Sequence, residues 1–235
     1  MTLEHRSTPR AINFTLNINP YASGSLIAEF GNTKVHITAT VEEEVPRWMK
    51  GSGKGWVTAE YSMLPGSTHD RIRRERKGAS GRTQEIQRLI GRALRAVVDM
   101  EKLGERQVVV DCDVLVADGG TRTTSISGAY LALELAVRKL MNENLIKESP
   151  LKDGLAAISV GLDKKGRVLA DLNYDEDSTC EADVNVVMTR SGKFVEVQGT
   201  AEGEPFSREQ LDHILETAKT SMDVVFKTQD KALGR

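Results

Sequence analysis

The chain lacks three features that would each mark a class of protein. With only two cysteines, Cys112 and Cys180, it has no disulfide framework, which favours a reduced, cytoplasmic setting. Its 32 Lys and Arg and 34 Asp and Glu leave a net charge of −2, so any nucleic-acid surface has to be local. No apolar run approaches the length of a membrane span or a signal core, so we expect no membrane partner.

Two further absences bear on organisation. The four histidines are scattered and give no zinc-ligand spacing, so they are interpreted as core or surface groups. No linker rich in Pro, Gly or Ser divides the 235 residues, which are enough for one large domain or two fused halves.

The hydrophobic pattern predicts the same scheme twice. Apolar alternation and short apolar runs predict strands at 12–18, 26–30, 35–41, 56–63, 108–116, 155–161, 167–172, 184–189 and 193–198. Apolar residues at helical spacing predict helices from about 83, over about 125–141 and over 207–226. Since four strands precede a helix twice, we predict an α+β fold of two related halves, 1–142 and 143–235, in one compact unit.

A glycine–arginine turn before the second helix predicts an anion site. Gly119 and Gly120 let the backbone approach a ligand closely. The helix start offers unpaired N–H groups and a partial positive charge, with Arg122 and several hydroxyls beside them. No acidic residue occupies the first turn of that helix. The alternative is a tight strand-to-helix connection with an exposed arginine.

A second arginine, Arg82, also stands at a helix start, within Ser80-Gly81-Arg82-Thr83. Two such arginines could grip one tetrahedral anion from two sides. Taken alone, Arg82 is more simply explained by pairing with a carboxylate such as Glu85. Because the glycine–arginine turn offers a second arginine at a helix start, the anion site is favoured over this pairing.

The acidic run 175–183 offers oxygen ligands for Mg²⁺. Asp177 and Asp183 would lie roughly 20 Å apart on one continuous strand, so they can share a metal only if the chain bends between them. The alternative is a solvated acidic connector. The apolar run that begins at Val184 instead places Asp183 at a strand entrance.

The segment 71–77 is a local basic patch on an otherwise acidic chain. It suits the backbone phosphates of RNA, although it contains no aromatic residue to stack bases. The alternative, a flexible solvated loop, is compatible with this role. Its basic residues are Arg71, Arg73, Arg74, Arg76 and Lys77.

Taken together, these segments resemble the ribonuclease PH family of phosphate-dependent RNA exonucleases. The resemblance runs from about Asn13 to the C-terminal helix. Two departures are the opening Met1–Arg6, where the family usually has an Arg-x-x-Gly-Arg segment, and Asn173, where it often has Asp. The matching segments are 55–65, 81–92, 111–114, 117–122, 176–178, 183–187 and 196–203.

The resemblance implies a ribonuclease PH, ribosomal-protein-like fold of two βαβ-type halves with four-stranded sheets and packed helices. It implies a cytoplasmic homohexamer that is built as a trimer of dimers. The implied substrates are the 3′ ends of tRNA precursors and structured ribosomal RNA, and DNA is not expected to bind. Its implied phosphate ligands are Arg82, Gly120, Thr121 and Arg122. Asp177 and Asp183 are implied as the catalytic, Mg²⁺-associated carboxylates, and the basic segment as the guide for the RNA 3′ end.

The expected reaction is phosphorolysis, in which inorganic phosphate is the co-substrate and a nucleoside diphosphate is released. The sequence leaves open whether an aspartate protonates the leaving 3′ oxygen or only binds metal. Two alternative functions are a metal-dependent hydrolytic exonuclease and a non-catalytic RNA-binding ring subunit.

Overall fold

Two sheets and the helices packed on them make up the computed structural model, which describes residues 6–235. Residues 1–5, which hold most of the departure from the family's opening segment, lie outside the described residues. None of the helices within 6–235 is long and apolar enough to cross a membrane.

The N-terminal sheet has five strands in the order β1-β2-β3-β5-β4, and only β4 and β5 run parallel. Helices α1 and α3 pack on one face of this sheet. The strands are β1 (Ile12–Leu16), β2 (Gly24–Phe30), β3 (Thr33–Glu42), β4 (Trp56–Met63) and β5 (Gln107–Val116). The helices are α1 (Gly81–Ala96), α2 (Met100–Leu103) and α3 (Thr121–Asn142), with a 3-10 turn at Arg47–Met49.

The C-terminal sheet has four strands in the order β7-β6-β8-β9, all antiparallel. Helix α5 packs on β6 and also touches β1. The elements are β6 (Leu155–Leu162), β7 (Val168–Ala170), α4 (Tyr174–Asp177), β8 (Ala182–Thr189), β9 (Phe194–Ala201) and α5 (Arg208–Ala232).

Helix α3 lies at the centre of the molecule, as its apolar sequence predicts. It packs on β2 and β3 of one sheet and on β6 of the other. Ser127 on α3 accepts from the backbone N–H of Ala157 on β6 at 2.9 Å, and Gln229 on α5 donates to the Ser127 carbonyl at 3.0 Å. One large apolar cluster therefore spans both halves.

The α+β class with two related halves is confirmed, and the differences from the sequence prediction are local. The N-terminal sheet has a fifth strand because β5 inserts between β3 and β4 rather than standing apart. Helix α3 begins at Thr121, four residues before the predicted start, because Gly120 takes a left-handed φ of 64° as its N-cap. β7 ends at Ala170 because Asp171 has a φ of 54°. The division between residues 142 and 143 stays a prediction.

Candidate active site

One cleft of about 740 Å³ lies where the glycine–arginine turn, the start of α1 and the acidic segment meet. The structure thus brings together segments that are far apart in the chain. The predicted site residues that line this cleft are Arg82, Gly120, Thr121, Arg122, Asp177 and Asp183.

The turn before α3 is shaped by two left-handed glycines and is pressed against the other half of the molecule. A Cβ atom on Gly119 would lie 2.3 Å from the carbonyl oxygen of Leu172, so only glycine fits there. The N-terminus of α3 has no side-chain cap and no acidic residue in its first turn. Its backbone N–H groups and positive dipole end therefore remain available to an anion in the cleft.

Thr121 opens α3 with its hydroxyl at the cleft. Its Oγ1 lies 2.9 Å from the hydroxyl oxygen of Tyr61 on β4. Burial raises the pKa of Tyr61, so this phenol is neutral and can serve as a donor near an anion. Tyr61 is a cleft neighbour that the sequence pattern did not single out.

Arg122 is held in place by side chains from two other elements. Its Nη1 donates to Gln198 Oε1 on β9 at 2.8 Å and to Glu85 Oε1 on α1 at 3.4 Å. Gln198 Nε2 in turn donates to Glu85 Oε1 at 3.1 Å. The Arg122 side chain is only 14% exposed, which excludes the alternative of an exposed arginine on a simple connection.

Arg82 is exposed on the cleft wall in the first turn of α1, whose N-cap is Ser80. Glu85, the partner proposed for it in the alternative interpretation, contacts Arg122 instead. Burial raises the pKa of Asp177 and of Asp183, and the positive charges of Arg82 and Arg122 act against that rise at both carboxyls, so the four groups share one electrostatic environment.

The acidic segment is folded into α4 and the start of β8, although Asp175 and Asp177 remain exposed. Asp177 ends α4 and Asp183 lies on β8, so the chain bends between them as metal sharing requires. Burial and the neighbouring Asp177 raise the pKa of Asp183 to about 6, and burial also raises the pKa of Asp177. The two carboxylates repel one another, which is the electrostatic setting of a cation site.

The donor set fits a shared Mg²⁺ rather than a cage made by the protein alone. No group of three or more His, Cys, Asp or Glu side chains within residues 6–235 is placed to hold a metal. Asp183 Oδ1, however, is buried without a hydrogen-bond partner in the described structure, while Oδ2 accepts from Asn185 Nδ2 at 3.2 Å. Mg²⁺ is commonly bound by one or two carboxylates together with substrate phosphates.

An arginine from the N-terminal segment ties the two sides of the cleft together. Arg10 Nε and Nη2 donate to the two carboxylate oxygens of Asp171, both at 2.8 Å, and Nη1 donates to the Asp118 carbonyl at 2.6 Å. The Asp171 side chain is fully buried. One side chain therefore contacts both the phosphate turn and the residue that leads into the acidic segment.

Arg6 makes a similar ion pair with Glu176 on α4. Its Nη1 and Nη2 donate to the two oxygens of Glu176 at 2.8 and 2.5 Å. Glu176 also accepts from the backbone N–H of Asn173, whose side chain caps the Glu176 N–H in return. Asn173, where the family often has Asp, thus serves as the N-cap of α4. No periodicity or local motif connects these partners, so they could not be predicted from the sequence.

The basic segment 71–77 forms an irregular exposed loop between β4 and α1. Ile72 lines the cleft, so the loop stands at its rim. The basic side chains themselves are exposed, and their contact with RNA stays a prediction for Arg71, Arg73, Arg74, Arg76 and Lys77.

Comparison with known proteins identifies relatives over nearly the whole chain. The two domains of the 3′ exoribonuclease family match residues 8–139 and 154–221. Proteins named ribonuclease PH from Bacillus subtilis (strain 168) and Neisseria meningitidis serogroup C are 56% and 54% identical to it, each over 227 residues, 96% of this chain and 93% of the relative.

Solved structures share the fold at lower identity. Rrp46 from rice (Oryza sativa) superposes with a TM-score of 0.80 at 17% identity, covering 98% of both chains. A chain of the Archaeoglobus fulgidus exosome, solved with RNA bound to the active site, gives a TM-score of 0.75 at 18% identity, covering 94% of this chain and 89% of that one.

Proposed function

The chain belongs to the 3′ exoribonuclease family and is a phosphate-dependent 3′-to-5′ exoribonuclease, and we propose that the cleft beside α3 binds the attacking phosphate. The observation that carries this assignment is the convergence of Arg82 and Arg122, from two helix starts, on one cleft that also contains Asp177 and Asp183.

Phosphorolysis requires the enzyme to hold two mutually repelling anions in line. The phosphate is already an oxyanion and needs little base catalysis, so positioning and charge neutralisation supply most of the effect. Arg82, Arg122 and the N–H groups at the start of α3 would hold it. An oxygen of that phosphate attacks the last phosphorus of the RNA, and the bond to the preceding 3′ oxygen breaks. The terminal nucleotide leaves as a nucleoside diphosphate, and the 3′ oxygen takes up a proton to become the new 3′ hydroxyl of the shortened RNA.

Asp177 and Asp183 would hold Mg²⁺ on the RNA side of the cleft. When bound, the ion offsets the negative charge that gathers on the scissile phosphate. The unpartnered Asp183 Oδ1 and the mutual repulsion of the two carboxylates support this role. Burial raises the pKa of both aspartates, and the positive charges of Arg82 and Arg122 oppose that rise, as a bound cation would.

The decisive experiment follows the products. Purified protein is incubated with a 3′-labelled RNA and Mg²⁺, with and without inorganic phosphate. We expect nucleoside diphosphates, and only when phosphate is present. Nucleoside monophosphates would identify the hydrolytic alternative, and no shortening at all would identify a non-catalytic RNA-binding subunit.

The physiological substrates proposed are the 3′ ends of tRNA precursors and structured ribosomal RNA in the cytoplasm. The exposed basic loop at the cleft rim supports contact with backbone phosphates, so we expect weak sequence preference and strong salt dependence. DNA is not expected as a substrate.

A homohexamer built as a trimer of dimers is proposed as the assembly. Strand β9 lies at the edge of the C-terminal sheet and exposes Phe194 and Val197. An apolar sheet edge with unpaired backbone groups is a ready site for pairing with another chain, which supports self-association. Native mass spectrometry checks the subunit number, and a monomer at micromolar concentration would contradict the proposal.

A further inference from the structure

The cleft contains one exposed aromatic ring, that of Tyr174. Its side chain is 55% exposed although the residue lies at the start of α4, within a folded part of the cleft wall. This ring is set in a cleft rather than on an open surface, and more than half of it is open to the cleft. It therefore offers an apolar, planar face to a ligand.

The backbone fixes where this ring stands. The N–H of Tyr174 donates to Asp118 Oδ1 at 3.3 Å, which ties it to the phosphate turn. Tyr174 and Asp177 are three residues apart on α4, so their Cβ atoms lie about 5–6 Å apart on one face. A nucleotide with its phosphate at the acidic pair thus has its base within reach of this ring.

The surroundings of the ring suit a nucleobase. The His69 ring lies at a centroid distance of 6.3 Å and an interplanar angle of 57°. This neighbour limits the orientation of the phenol ring and adds a second aromatic surface beside it. The apolar side chains of Met63 and Ile72 line the same cleft. The basic loop 71–77, which lacks an aromatic residue, thus shares the cleft with one, because Ile72 of the loop and Tyr174 both line it.

We propose that Tyr174 is the stacking platform for the terminal base of the RNA, with His69 flanking it. The proposal rests on the proposed function, because the phosphate and carboxylate groups define where the terminal nucleotide lies. Every base has a π-face, so a platform of this kind binds the 3′ end without selecting its sequence. The ligand class of this subsite is any single-stranded nucleoside at the 3′ terminus.

The test combines variants with an altered RNA. Two oligonucleotides of equal length are compared, one natural and one whose 3′-terminal nucleotide lacks its base. Equilibrium binding without phosphate gives Kd, and removal of the first nucleotide gives kcat and the KM values for RNA and phosphate. Tyr174→Ala is expected to raise Kd and KM for natural RNA by about tenfold, as loss of one stacked base does.

The altered RNA separates stacking from a structural role. On the abasic RNA, Tyr174→Ala and wild type are expected to bind equally well, because the stacking partner is already missing. Tyr174→Phe keeps the ring and is expected to behave as wild type with both RNAs. The KM for phosphate is expected to stay unchanged in both variants, since the backbone bond to Asp118 is retained.

Tyr21→Ala is the matched control, because this tyrosine is 95% exposed and does not line the cleft. It is expected to change none of the constants. Equal losses on natural and abasic RNA in Tyr174→Ala, or a Tyr174→Phe variant as impaired as Tyr174→Ala, would overturn the stacking assignment. Wild-type protein that shortens RNA without phosphate would instead overturn the proposed function.

Discussion

At the residue scale, Arg122 tests the phosphate assignment. Arg122→Ala is expected to lower kcat/KM for phosphate about 100-fold, equivalent to about 2.7 kcal/mol of transition-state stabilisation. The physical reason is the loss of a held guanidinium beside the start of α3. Steady-state phosphorolysis over a range of phosphate concentrations measures the change.

Arg92→Ala is the control for that substitution. Arg92 also reaches from a helix to β9, where it pairs with Glu196, but it does not line the cleft. Its removal is expected to leave the phosphate dependence as it is. An Arg122→Ala enzyme with wild-type phosphate dependence would remove this arginine from the site.

Asp183 carries a second prediction, in which activity and stability move in opposite directions. Burial and Asp177 raise the pKa of Asp183 to about 6, above its ordinary value. The folded state then binds the proton more tightly than the unfolded state, so stability falls as pH rises from about 4 to about 6. The penalty on the ionised form amounts to roughly 3 kcal/mol.

Asp183→Asn is therefore expected to abolish phosphorolysis and to raise Tm at pH 8 without Mg²⁺, with a smaller gain at pH 4.5. Asp163→Asn is the control with the opposite expected sign. Burial acts to raise the pKa of Asp163, but hydrogen bonds from Arg167 hold that pKa below its usual value. That variant should lower Tm at pH 8. Thermal unfolding followed by circular dichroism measures both, and a pH-independent gain for Asp183→Asn would contradict the assignment.

At the element scale, the contact of Arg10 with both sides of the cleft predicts a positioning role. Arg10→Met removes the side-chain bonds to Asp171 and Asp118 and leaves the buried Asp171 carboxylate without its cationic partner, with only the backbone N–H of residue 10 still donating to it. We expect a lower Tm together with a KM for phosphate about tenfold higher, because misplacement of about 1 Å in positioning groups costs up to 100-fold.

Arg167→Met is the matched control, since Arg167 pairs with the buried Asp163 at the β6–β7 turn, outside the cleft. It should lower Tm and leave the KM for phosphate unchanged. If both variants changed the KM alike, the contact of Arg10 would be structural only.

The element scale also shows what the sequence could and could not predict. Local signals worked where the structure depends on local chemistry: Gly119 and Gly120 mark the turn, and α3, which is apolar on most faces, is buried at the centre. They failed where residues in contact are far apart in the sequence. Arg10 and Asp171 stand 161 residues apart, and Tyr174 reaches the cleft only because α4 folds against the Asp118 turn. Spacing along the chain contains no information on such pairs.

At the scale of the whole molecule, the shared core predicts one cooperative unfolding transition. Helix α3 packs on both sheets, and Ser127 and Gln229 join it to β6 and α5 by buried hydrogen bonds. Neither half can lose its structure without exposing the core of the other. The two halves on either side of the predicted division, 1–142 and 143–235, are therefore expected not to be stable separately.

The two tryptophans provide the measurement, because Trp48 and Trp56 both lie in the N-terminal half. Their fluorescence reports on that half alone, whereas far-ultraviolet circular dichroism reports on all helices. We expect the two denaturation curves to coincide in urea. Separate midpoints would show that the halves unfold independently.

The contacts of Arg6 and Arg10 also determine when a newly made chain becomes a nuclease. Their partners Glu176 and Asp171 follow 170 and 161 residues later, so ribosomes working at about 5–20 residues per second need roughly 10–30 s to supply them. Until then the cleft lacks the acidic segment 175–183 and the ion pairs that Arg6 and Arg10 make. We therefore expect a nascent chain to have no nuclease activity toward messenger or transfer RNA until residues 171–183 have been added.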